Sequence, residues 1–70
     1  MTFSEVMTRE MKKRGIKQAQ LAKMTGMSRA YISMIANGQI IDPKLSSAVL
    51  IIHALGMDID EFAAMMDETA

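Results

Sequence analysis

Apolar positions recur with helical spacing from the start of the chain. Phe3, Val6, Met7 and Met11 fall on one face, and Arg9, Lys12 and Lys13 fall on the other. Thr2 and Glu5 have the S/T-x-x-E spacing of a capping box, and Gly15 supplies a stop, so a first helix is predicted from about residue 3 to Arg14. Ile16 is read as an apolar plug before the next helix. The stretch Gln18 to Asn37, QAQLAKMTGMSRAYISMIAN, reads as two short helices. The second helix opens at Lys17 and Gln18 and ends near Thr25 and Gly26, and the third runs from Ser28 to about Ala36. Leu21 and Ala22 form the inner face of one, Ile32 and Ile35 that of the other.

The join between them is Thr25, Gly26 and Met27, with the glycine placed to take a positive φ. Helices joined by so short a turn cross steeply, so the residue at closest approach must be small, and Ala22 is small. Ser28 offers a hydroxyl to cap the third helix, whose outward face carries Arg29, Ala30, Ser33 and Met34. Asn37-Gly38 is a strong helix stop. This is the pattern of a helix-turn-helix, and it makes DNA binding the leading expectation.

Beyond a short loop, Gln39 to Asp42, the Asp42-Pro43 pair reads as the cap and first turn of a fourth helix reaching Leu55, with Gly56 ending it. Its buried stripe is expected to be Leu45, Ala48, Ile51, Ile52 and Leu55, with Val49 at the edge. Asp58 and Glu61 form a second capping pair ahead of a fifth helix whose apolar face is expected to be Ile59, Phe62, Ala63 and Met66. Residues 67–70 are expected to fray. There are no internal repeats.

Composition narrows the class. Seventy residues allow one domain, spanning 1–70. The chain has no cysteine, which excludes disulfides and thiolate metal sites and fits a reducing cytoplasm. Half the residues are hydrophobic, yet no run approaches the roughly 18 apolar residues of a membrane span, and no signal-peptide pattern opens the chain. With few aromatics and few alternating β-branched runs, the fold class expected is all-α.

Net charge is zero, but its distribution is not even. Residues 1–35 hold seven bases against two acids, a balance of +5, and residues 36–70 hold one base against six acids, a balance of −5. The basic half contains the helix-turn-helix, so the molecule is polarised in the sense that orients it on a phosphate surface.

The pattern G-I-K-Q-x-x-L-A-x-x-x-G-M-S-x-x-x-I-S-x-I-x-N-G, with A-L-G-M-D-I-D-E-F downstream, resembles the Cro/C1-type (XRE) helix-turn-helix family over roughly residues 5–66. That family includes phage repressors, restriction-modification controller proteins and some antitoxins. The resemblance implies a five-helix, lambda-repressor-like DNA-binding domain with the helix-turn-helix at the second and third helices. There are two departures. Where many members pair an arginine of the first helix with a glutamate near the end of the third, this chain has Met11 and Ala36, so both charges are absent together. An apolar pair replaces such a bridge at little cost. The loop after the third helix is often basic in the family but reads Gln39-Ile40-Ile41-Asp42 here, which weakens the expectation of phosphate contacts from it.

A third helix entering the major groove by its N-terminal end places Arg29 nearest the base edges, where its fork matches the O6 and N7 acceptors of guanine. Ala30 and Met34 are expected against thymine methyls, with Ser33 a weak discriminator. Phosphate contacts are expected from Lys17 and Gln18 at the start of the second helix, and from Ser28, Tyr31, Asn37, Gly38 and Gln39. One reading helix makes few contacts, so a homodimer on double-stranded DNA is expected, with Leu50, His53, Ala54 and Met65 as its interface candidates. An antitoxin whose acidic half covers a basic protein partner is the alternative. His53 is the only histidine, and Asp58, Asp60 and Glu61 lack calcium-loop spacing, so no metal, cofactor or catalytic residues are expected. Nine methionines are read chiefly as core filler.

Overall fold

The computed structural model describes residues 1–68 and contains, among them, five helices and no strand. In chain order these are α1 (Phe3–Arg14), α2 (Gln18–Thr25), α3 (Arg29–Ala36), α4 (Leu45–Ala54) and α5 (Ile59–Met66). The capping box at α1 is present in both directions. Thr2 N–H donates to Glu5 Oε1 at 2.9 Å, and Glu5 N–H donates to Thr2 Oγ1 at 3.2 Å. Asp58 and Glu61 make the same reciprocal pair ahead of α5, at 3.1 and 2.7 Å.

All five helices surround one core. Val6 and Met7 of α1, Leu21 and Ala22 of α2, Ile32 and Ile35 of α3, Ile51 and Ile52 of α4 and Phe62 of α5 are all buried, with Leu55 and Met57 between the last two helices. Burying one side chain the size of Leu21 or Ile32 contributes about 1.5–3 kcal/mol, so α2 and α3, only eight residues each, depend on these contacts for their existence. Phe3 stacks on Phe62 with ring centroids 4.7 Å apart, tying α1 to α5.

The fourth and fifth helices differ from the sequence expectation. Helix α4 begins at Leu45 with Lys44 as its N-cap, not at Asp42 and Pro43. Leu45, expected in the buried stripe, is 78 % exposed, and Ile59, expected on the apolar face of α5, is 45 % exposed. The cause is common to both. Each is the first residue of its helix, and a helical side chain leans back over the preceding turn, which at that position does not exist. The apolar face of α5 is also rotated, with Phe62, Met65 and Met66 toward the core and Ala63 exposed.

One buried charge was not anticipated. Glu10 of α1 has a side chain only 2 % exposed, bridged to Arg14 one turn along, with Arg9 Nε 3.7 Å from its second oxygen. Of the expected tail, Asp67 and Glu68 are held back. The Met1 ammonium donates to the Met66 carbonyl at 2.8 Å and the Glu68 carbonyl at 3.1 Å, and Arg9 lies 3.8 Å from the Glu68 carboxylate. Residues 69–70 lie outside the described residues. No helix among the described residues is long and apolar enough to cross a membrane.

Candidate nucleic-acid interface

The turn between α2 and α3 is built by three residues. Gly26 sits at φ +75°, and a Cβ placed there would touch nothing within 4 Å, so glycine is favoured by backbone angle and not by space. Thr25 Oγ1 donates to the Leu21 carbonyl at 2.8 Å and accepts from Met27 N–H at 3.3 Å. Met27 N–H also reaches the Ala22 carbonyl at 3.1 Å. The side chain of Thr25 thus stitches both sides of the turn, a role its sequence position alone did not reveal. Ala22, 4 % exposed, lies in the same core as Ile32 and Ile35, as expected for a small residue where two short helices cross.

Ser28 caps α3, its Oγ accepting from Tyr31 N–H at 3.0 Å. With Ile32 and Ile35 fully buried, the opposite side of α3 is turned outward. Arg29 and Ala30 are exposed, Met34 is 38 % exposed, and Ser33 is half-buried. Ser33 is already engaged, because Asn37 Nδ2 donates to its Oγ at 3.3 Å, leaving the serine proton free to donate. Arg29 has no ion-pair partner among the described residues, so its guanidinium is uncommitted.

At the far end of α3 the chain closes on itself. Gly38, at φ +79°, donates its N–H to the Ile35 carbonyl at 3.1 Å, and Gln39 N–H donates to the Met34 carbonyl at 2.9 Å. Those backbone donors are spent inside the protein. What this end offers outward is the exposed side chains of Asn37 and Gln39.

The start of α2 is open by contrast. Its N-cap, Lys17, makes no side-chain cap, and the first helical hydrogen bond runs from Leu21 N–H to the Lys17 carbonyl at 2.9 Å. The N–H groups ahead of Leu21 therefore face outward at the positive end of the helix dipole. Lys17 and Gln18, both exposed, border a shallow groove of about 320 Å³ shared with Thr8, Met11, Lys12 and Ile16. Lys12 thus borders the same groove as Lys17. Tyr31 is half-buried against the core and borders a second groove of about 340 Å³ with Met27, Ser28, Lys44 and Ser47.

The charges divide in use. Arg9 and Arg14 are occupied by Glu10 and Glu68, whereas Lys12, Lys13, Lys17, Lys23 and Arg29 pair with no acid among the described residues. Apart from Lys44 ahead of α4, which is likewise unpaired among the described residues, the free cations therefore belong to α1, to α2 and the residue that opens it, and to the start of α3. Of the four residues expected at a dimer contact, Leu50 and His53 are exposed, while Ala54 and Met65 are half-buried and pack on the core.

A family model described as helix-turn-helix matches residues 8–62, from the second turn of α1 into α5. No curated protein matches the chain, and no solved structure does.

Proposed function

Because the chain belongs to the Cro/C1-type helix-turn-helix family and is thereby a DNA-binding transcription regulator, we propose that it is a dimeric cytoplasmic repressor that reads a palindromic operator through the major groove. The observation that carries this reading is the bare outward row of α3, Arg29, Ala30 and Met34, on a helix whose other side is anchored by Ile32 and Ile35.

In this reading α3 enters the groove N-terminal end first. Arg29 donates two hydrogen bonds to guanine O6 and N7, a pairing that discriminates by about 1–3 kcal/mol. Ala30 and Met34 lie against thymine methyls, and Ser33 donates its free proton to a base acceptor. The open N-terminus of α2 receives one backbone phosphate, with Gln18, Lys17 and the neighbouring Lys12 around it. Asn37 and Gln39 hold the strand at the other end of α3, with the Ser28 and Tyr31 hydroxyls beside its start. A protomer with extents of 30 × 24 × 22 Å is of the size that lets two copies side by side reach successive major grooves, about 34 Å apart. Occupation of such a site blocks other proteins from the same DNA, which is repression by occlusion.

Selection of bound sites from random double-stranded DNA tests the reading. Recovery of a two-fold symmetric motif with a guanine in each half supports it. Recovery of no motif, with binding that ignores sequence, overturns it. The second reading, an antitoxin that also regulates its own synthesis, is favoured by the exposed acids Asp58, Asp60 and Glu61 on α5 and the residue before it. Co-purification of a stoichiometric basic partner would select it.

A further inference from the structure

The chain has no cysteine, so its nine methionines are its only sulfur. Burial divides them. Met7, Met11 and Met57 lie in the core, and four more are half-buried against it. The remaining two, Met24 on α2 and Met34 on α3, are 49 % and 38 % exposed. Met34 is set apart by where it stands. It belongs to the outward row of α3 with Arg29 and Ala30, on a helix held from behind by Ile32 and Ile35. Its backbone is pinned as well, because the Met34 carbonyl accepts from Gln39 N–H at 2.9 Å and from Ile40 N–H at 3.1 Å. The side chain can therefore change chemically while the helix beneath it keeps its place.

We propose that Met34 is a modification site, at which oxidation of the thioether to the sulfoxide by hydrogen peroxide releases the protein from its operator. The proposal rests on the reading of α3 as the helix that enters the groove, and gives that reading a signal. In the step, a sulfur lone pair attacks one peroxide oxygen. The S–O bond forms as the O–O bond breaks, and hydroxide leaves. That hydroxide takes the proton from the new S–OH group, so the products are sulfoxide and water, with sulfur oxidised and peroxide reduced. The reverse needs a dithiol, which a methionine sulfoxide reductase converts to a disulfide as the oxygen leaves in water.

The effect follows from what the new oxygen meets. A thioether is apolar and suits a thymine methyl, whereas a sulfoxide is polar and presents an acceptor. Ala30, one turn back along the row, has no side-chain donor, and neither has a thymine methyl. In the groove the oxygen is buried without a partner, which lowers affinity by about tenfold or more. Met24 lies outside this row, so its oxidation leaves binding unchanged. The core methionines react last, because susceptibility follows exposure.

The test treats wild type, Met34→Leu and Met24→Leu with graded hydrogen peroxide. Peptide mass spectrometry locates each sulfoxide, and binding to the selected operator is measured before and after. Each chain is compared with itself, so a different starting affinity in Met34→Leu does not enter. The first sulfoxides should form at Met24 and Met34, with the melting temperature unchanged. Wild type and Met24→Leu should then lose about tenfold or more in affinity, and Met34→Leu less than about twofold. The loss should fall on one base pair of each half-site, as a weaker preference for thymine over cytosine. Reductase with dithiothreitol should restore the wild type. Operator DNA bound beforehand should shield Met34 from peroxide and leave Met24 reactive. An affinity unchanged with Met34 converted overturns the proposal, as does an equal loss in Met34→Leu or a Met34 that reacts no faster than Met57. Wild type that binds the operator and is indifferent to peroxide refutes the modification site alone. Wild type that binds no operator before treatment refutes the DNA reading beneath it as well.

Discussion

Ser4 of α1 donates its hydroxyl to the carbonyl of Ala36, the last residue of α3, at 3.1 Å. This one bond spans 32 residues and closes the carbonyl end of α3 against α1. Met11 lies in the core and Ala36 packs on it half-buried, so this junction is held by apolar packing and a neutral hydrogen bond. Ser4→Ala is expected to cost about 1 kcal/mol, the usual worth of a part-buried hydrogen bond. Chemical denaturation checks it, with unchanged stability as the contrary result.

Gly26→Ala isolates the backbone cost of the turn. No atom lies within 4 Å of the added Cβ, so packing is unaffected and only the left-handed conformation is penalised, by about 1–2 kcal/mol. Gly26→Asn should recover part of the loss, since asparagine tolerates that region better. Equal stability for all three chains would contradict the assignment.

Arg14→Ala removes the main partner of Glu10 and leaves a buried carboxylate with only Arg9 at 3.7 Å. Breaking a fully buried pair this way costs about 3–5 kcal/mol, and because Arg14 is about one-third exposed, roughly half that is expected here. Glu10→Met should cost less, since it removes the buried charge and leaves two arginines that reach water. Thermal unfolding of both variants checks the order. A greater loss in Glu10→Met would reverse the interpretation.

Glu5 is held below its ordinary value of 4.5, first by the Thr2 backbone N–H and then by the Thr2 side chain, both of which favour the carboxylate. A group depressed in the folded state contributes stability that is present above its unfolded value and is lost as pH falls through the folded one. The capping box should therefore loosen on acidification below about 4.5, and nuclear magnetic resonance titration should place the Glu5 midpoint under that value. A midpoint at or above it would contradict this.

The helix-turn-helix was legible because its signals are local. Leu21, Ala22, Ile32 and Ile35 sit at helical spacing, and Gly26 and Ser28 are punctuation that acts within one turn. The same logic misled at Leu45 and Ile59. Spacing assigns a face, but a first-turn side chain is covered only if something outside its helix reaches it. Glu10 was invisible for a related reason. Its burial depends on α1 sinking that position toward the core, while Arg14 and Arg9 supply the charge that makes it tolerable. At the candidate interface, the outward row of α3 was readable from its spacing against Ile32 and Ile35. That the Gly38 and Gln39 N–H groups are consumed by the α3 carbonyls followed only from the backbone.

The most direct test of the central claim is an equilibrium binding titration on the selected operator at several salt concentrations, with wild type, Arg29→Ala and Lys17→Ala. Affinity should fall steeply with salt. Arg29→Ala should lose about 1–3 kcal/mol and relax preference at one base pair, while Lys17→Ala should weaken all sequences alike and flatten the salt slope by about 1. Affinity that ignores both salt and Arg29→Ala would contradict the assignment of α3 as the reading helix.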